Sequence, residues 1–160
     1  MANPLRVAIT LDIDPDANRP VPGRVDAVSP PIEAGLARFD AVHDGFRSTL
    51  DILASLSIPA TLFFESRTAR ELVKRGLDLP ALCRGHEIAC HGREHEDLLG
   101  TESGLPLSQA QMHDVLSESV AEIEQATGSR PTGFRAPYTR VNDTALAVLA
   151  DLGFAYDSSI

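Results

Sequence analysis

The chain has 160 residues, enough for one domain with a sizeable core. Hydrophobic residues make up 43% and charged residues 23%, with 14 Lys+Arg against 23 Asp+Glu and a formal net charge of −9, which argues against a nucleic-acid footprint or a basic patch for anionic membranes. No run approaches a membrane span, and the apolar "VAITL" near the start is too short for an export signal, so a cytoplasmic protein is expected. Cys83 and Cys90 form no CxxC pair and are too few for a disulfide framework; they read as small buried thiols in a reducing compartment.

In chain order, residues 5–12, "LRVAITLD", read as a buried strand that ends in acid. Residues 15–43 carry Pro15, Pro20, Pro22, Pro30 and Pro31 with little periodicity, and read either as a lid or as a surface connection. Phe46, Leu50, Leu53 and Leu56 recur at helical spacing and predict a helix over 44–57 with Asp44 as its cap. "IPATLFF" (58–64) predicts a second strand, and "SRTARELVKRG" (66–76) a helix capped by Ser66 and stopped at Gly76. "HEIACH" (86–91) predicts a third strand.

Ser108 and Gln111 form a capping box for a helix whose inner stripe is Met112, Val115, Leu116 and Ile123, closing at Gly128. "TGFRAP" (132–137) predicts a fourth strand. Asn142 caps a helix through Leu152, Gly153 stops it, and "FAYDSS" starts a fifth strand.

Strand and helix alternate with no repeat, low-complexity tract or linker, so residues 1–160 are expected to form a single parallel α/β domain. An eight-stranded barrel takes about 250 residues, and the chain reads as most of such a barrel without its last units. A longer natural protein, or an oligomer covering the open side, is the expectation that follows.

The polar clusters fall at the ends of these strands. Asp12 and Asp14 follow the first, His91 and His95 the third, and Arg135, Pro137 and Tyr138 the fourth. In parallel α/β folds the C-terminal strand ends share one face, and active sites form there. The run "HGREH" places two histidines four apart, a spacing that in a helical turn puts both on one side. Two imidazoles and a carboxylate from "LDIDPD" suit zinc, iron, cobalt, manganese or nickel and leave positions open for water and substrate. A structural zinc site would need a fourth ligand, usually cysteine, and no cysteine pattern supplies one.

Of the two neighbouring carboxylates, one would bind the cation and the other accept a proton. Arg135 is placed to hold the base aspartate through a bidentate pair. Glu65, after the second strand, is explained by its position at a helix entry. His43, in the long loop, His86, at the wrong end of its strand, and His113, on a helix, read as structural or solvated.

These residues resemble the polysaccharide deacetylase family, also called carbohydrate esterase family four or the NodB-homology domain. "TLDIDPD" resembles its first motif, in which Asp12 would be the base and Asp14 a metal ligand. The spacing with Ile13 between them is similar to a DxD-type branch that includes atypical peptidoglycan deacetylases and cyclic-imide or allantoin hydrolases. "HGREH" matches the second motif, with His91 and His95 as ligands. "RAPY" matches the third, with Arg135 orienting the base and the Tyr138 backbone N–H binding the oxyanion.

The resemblance implies a distorted (β/α) barrel of the glycoside hydrolase/deacetylase type, incomplete at its C-terminus, and one divalent ion, with zinc first and cobalt, nickel, manganese or iron as alternatives. It implies removal of N-acetyl groups from an amino-sugar polymer or oligomer. Two other readings stay open: a C–N hydrolase on a small cyclic imide or ureide, and a non-catalytic domain that binds metal or sugar. The family's later motifs, including its general-acid histidine, have no counterpart in these residues.

Overall fold

Parallel strands cannot be joined by tight turns, so each step across a parallel sheet needs a crossover long enough for a helix. The chain supplies such crossovers. A computed structural model describes residues 6–15, 19–28 and 37–159. Its main sheet takes β1 (Thr10–Ile13), β4 (Thr61–Phe64), β5 (Glu87–Cys90), β6 (Gly133–Phe134) and β7 (Tyr156–Asp157), all parallel and in that spatial order. The helices between them are α1 (Ala37–Ser55), α2 (Ser66–Lys74), α3 (Leu79–Leu82), α4 (Gln109–Thr127) and α5 (Asp143–Asp151). Chain order and sheet order agree throughout, with no reversal, as in a singly wound barrel rather than a doubly wound sheet.

One face of the sheet meets the helices. Leu62 and Phe64 of β4, Ile88 and Cys90 of β5 and Phe134 of β6 join Leu50, Leu72, Leu116, Ile123 and Val148 in one core. Full burial of such side chains contributes about 1.5–3 kcal/mol each. Cys83 and Cys90 are buried free thiols as expected, and burial pushes both up to about 12. Among the described residues no helix is long and apolar enough to cross a membrane.

Several boundaries differ from the sequence reading. The first strand starts only at Thr10, and Val7 is 74% exposed because β1 is an edge of the sheet. The helix predicted over 44–57 is α1, which begins at Ala37; Asp44 and His43 lie inside it and Leu56 falls beyond its end, exposed. Glu65, not Ser66, is the N-cap of α2. The inner stripe of α4 runs through Ser119 and Val120, with Val115 only half-buried. The capping box at Ser108 and Gln111, the left-handed Gly128 and the Asn142 cap are as expected.

Within the proline-rich stretch, β2 (Arg19–Val21) and β3 (Arg24–Val28) form an antiparallel hairpin around Gly23. The predicted loop hid this pair; residues 16–18 and 29–36 of that stretch lie outside the described residues. The hairpin is tied to the loop after β5: Ala27 N–H donates to the Glu94 carbonyl (3.0 Å) and Asp97 N–H to the Val25 carbonyl (2.9 Å).

Candidate active site

Strand register decides which residues meet. Ile13 pairs with Phe64, Phe64 with Cys90, Cys90 with Phe134, and Phe134 with Asp157. The residues one step beyond this row are Asp14, Glu65, His91, Arg135 and Ser158, so they emerge at the same C-terminal rim. Asp14, His91 and His95 each offer a ligand atom there, and the three atoms lie within 4.8 Å of one another. Both histidines are buried and Asp14 is partly exposed. His95 Nε2 stands 3.7 Å from Asp14 Oδ2.

The imidazoles are held in place from behind. His91 Nδ1 is 2.9 Å from the Arg135 carbonyl. A carbonyl only accepts, so Nδ1 carries the proton and Nε2 is left as a ligand atom. The His95 ring sits edge-on between His91 and Tyr138, with centroids 5.2 and 4.6 Å away. Two imidazoles and a carboxylate this close fit a divalent ion of the zinc class.

The pair does not sit on a helical turn, contrary to the reading from spacing. Residues 91–97 are a loop, in which Gly92 has φ +78° and His95 φ +56°. The left-handed conformation costs a non-glycine residue about 1–2 kcal/mol, so other contacts must hold His95 there. Gly92 is required by its φ and by space, because a Cβ would stand 2.8 Å from Glu96 Oε2.

Asp12 lies beside this cluster at the open face. Arg135 Nη1 donates to Asp12 Oδ1 at 2.7 Å. The pair is not bidentate as predicted: Arg135 Nη2 is turned to Thr10 Oγ1 (3.1 Å) and Ser158 Oγ (3.0 Å), and Nε donates to the Ser158 carbonyl (3.1 Å). The guanidinium also lies 4.2 Å from the centroid of the Phe63 ring, a stacking worth about 0.5–2 kcal/mol. Thr10, Phe63 and Ser158 therefore fix Arg135, and the sequence reading assigned none of them a role. Ser158 follows β7 as Arg135 follows β6, which sets the two side by side at the rim.

Tyr138 occupies a 3₁₀ turn (Pro137–Thr139) with φ +57°, and no described residue accepts from its backbone N–H. Its hydroxyl is pushed up to about 12, chiefly by burial. A cleft of about 300 Å³ between β1 and α1 is lined by Asp12, Asp14, Pro15, Val42, Phe46 and Thr49 among others, so both aspartates border open space.

The remaining histidines stand apart from this site. His86 Nδ1 accepts from Ala60 N–H, His43 pairs with Asp44, and His113 Nε2 is 3.3 Å from Asp151. Glu65 is fully buried and accepts from Thr68 Oγ1.

The family model for polysaccharide deacetylase matches residues 33–156. The chain is 40% identical over 76 residues to the peptidoglycan deacetylase-like protein FGM2 of Gibberella zeae, covering 48% of this chain and 21% of that one. It is 31% identical over 119 residues to the peptidoglycan deacetylase of Helicobacter pylori, covering 72% of this chain and 37% of that protein. The chain thus spans well under half the length of either relative. The solved family 4 carbohydrate esterase of Streptomyces lividans, in complex with acetate, superposes with a TM-score of 0.60 at 25% identity, over 94% of this chain and 60% of that one.

Proposed function

The chain belongs to the polysaccharide deacetylase family, and on that premise we propose that it removes N-acetyl groups from an amino-sugar polymer or oligomer with a divalent ion at the strand ends. The observation that carries this reading is the meeting of Asp14, His91 and His95 within 4.8 Å beside an aspartate clamped by Arg135. The likeness to a peptidoglycan deacetylase-like protein of Gibberella zeae and a peptidoglycan deacetylase of Helicobacter pylori supports an amino-sugar substrate.

Asp14, His91 through Nε2, and His95 would hold the ion, zinc foremost. Such an ion, when bound, supplies Lewis-acid polarisation and makes a water acidic near neutral pH. Asp12 takes the proton from the attacking water, a role that needs a carboxylate held at a fixed place. Arg135 provides that fixation through its Nη1 contact. The Tyr138 N–H donates to the oxygen on which negative charge develops, where a fixed dipole stabilises the transition state most. The C–N bond then breaks as the proton held by Asp12 passes to the leaving nitrogen, giving acetate and a free amine.

Acetate release from N-acetylglucosamine oligomers, measured after loading with Zn²⁺, tests the reading. Zinc-dependent release by the wild type that is lost in Asp12→Asn supports it. Equal release by both proteins, or none from the zinc-loaded wild type, would contradict it.

A further inference from the structure

The two histidines are brought together by a loop rather than a helix, and the loop needs something to hold its left-handed turns. Glu96 lies inside it, 5% exposed. Its Oε2 accepts from Arg93 N–H at 2.9 Å and its Oε1 from Glu94 N–H at 2.8 Å. Arg93 and Glu94 are two of the three residues between His91 and His95, so one carboxylate spans the interior of the HxxxH segment. No Lys, Arg or His forms an ion pair with Glu96 among the described residues.

The surroundings allow little adjustment. Oε2 fills the space over Gly92, where a Cβ would stand 2.8 Å away and 3.3 Å from Pro137 Cγ. The Gly92 carbonyl is itself pinned by Ser66 N–H (3.0 Å) and by the buried Ser119 hydroxyl (2.7 Å). The rim of the loop is fixed outward, with the Arg93 carbonyl accepting from Arg67 N–H and the Glu94 carbonyl from Ala27 N–H. The amides turned inward meet only Glu96.

We propose that Glu96 is the positioning residue of the ion site: its carboxylate binds both inward amides and so sets the His91–His95 spacing. A carboxylate offers two equivalent acceptors, and both are used. A glutamine offers one, and its NH₂ would face the second amide, donor against donor. Residues that orient ligands in this way typically change metal affinity by about 10–100-fold when replaced.

The inference rests on the metal-site reading, so the wild type is measured first. Zn²⁺ affinity is read by competition with a chromophoric chelator, and the site's symmetry by the visible band of bound Co²⁺. Wild type is expected to bind one ion, and Glu96→Gln to bind it about 10–100-fold more weakly with a shifted Co²⁺ band at saturation. A merely structural role would lower the melting temperature and leave that band unmoved. Wild-type affinity and an unchanged band in Glu96→Gln would overturn the proposal while the metal reading stands; a wild type that takes up no ion would overturn both. Should Glu96→Gln fail to fold, hydrogen exchange in the metal-free wild type decides. Protected amides at Arg93 and Glu94 support the proposal, and free exchange at both overturns it.

Discussion

Arg135 serves His91 with its main chain while its side chain serves Asp12: the carbonyl lies 2.9 Å from His91 Nδ1 and Nη1 lies 2.7 Å from Asp12 Oδ1. One residue thereby ties the candidate ligand cluster to Asp12, 123 positions away in sequence. The two roles are chemically separable, because a side-chain substitution leaves the carbonyl in place.

Arg135→Lys is therefore expected to bind metal as the wild type does and to hydrolyse poorly. A lysine cannot reach Asp12, Thr10 and Ser158 at once, and it loses the planar contact with Phe63. Misplacing a catalytic group by about 1 Å costs on the order of 10²-fold in rate. Steady-state kinetics with a parallel metal titration separates the effects. A loss of metal binding equal to the loss of rate would show that the side chain supports the histidines as well.

The two aspartates should divide by function. Asp12→Asn is expected to retain the ion and lose about 10²–10⁴-fold in hydrolysis, the usual worth of a positioned base. Asp14→Asn is expected to lose both. Ion content by elemental analysis beside kcat for the two variants checks this, and an Asp12→Asn protein that sheds its metal would reverse or merge the roles.

Glu122 of α4 gives a pH-dependent contribution to stability. Burial pushes its carboxyl up, but Ser66 Oγ at 2.6 Å together with Arg93 and Arg70 outweighs this and holds it below the usual 4.5. A carboxyl lowered in the folded state adds stability above its unfolded pKa and loses it as pH falls through the folded value. Glu122→Gln should then be less stable than wild type by at most about 1 kcal/mol at neutral pH, because solvent screens the partly exposed arginines, with the gap closing from about pH 4.5 downward. Urea unfolding at pH 7, 4 and 3 measures the gap, and a gap independent of pH would rule out the charge as its source.

Much of this site was legible in the sequence because strand ends were. "LDID", "IACH" and "GFRAP" each carry an apolar run straight into a polar residue, and parallel pairing brings those residues to one rim. What spacing could not decide was the backbone between His91 and His95, since a helical turn and a left-handed loop both bring such residues together. The contacts that accompany the loop come from elsewhere in the chain: Ser66 and Arg67 N–H donate to the Gly92 and Arg93 carbonyls, and Ala27 N–H to the Glu94 carbonyl. The hairpin around Gly23 carried a local signal in its Pro-Gly turn, obscured by the other prolines of the segment. The clamp on Arg135 depends on Thr10 and Ser158, which become its neighbours only once the register of β1 and β7 is set.

The central claim, that Asp14, His91 and His95 form one divalent-ion site, is tested most directly by metal stoichiometry in the purified wild type and in His91→Ala. Elemental analysis after loading with Zn²⁺ and removal of excess should give one zinc per wild-type chain and less than about a tenth of that in the variant, with circular dichroism showing the variant folded. Full zinc occupancy in folded His91→Ala would contradict the claim.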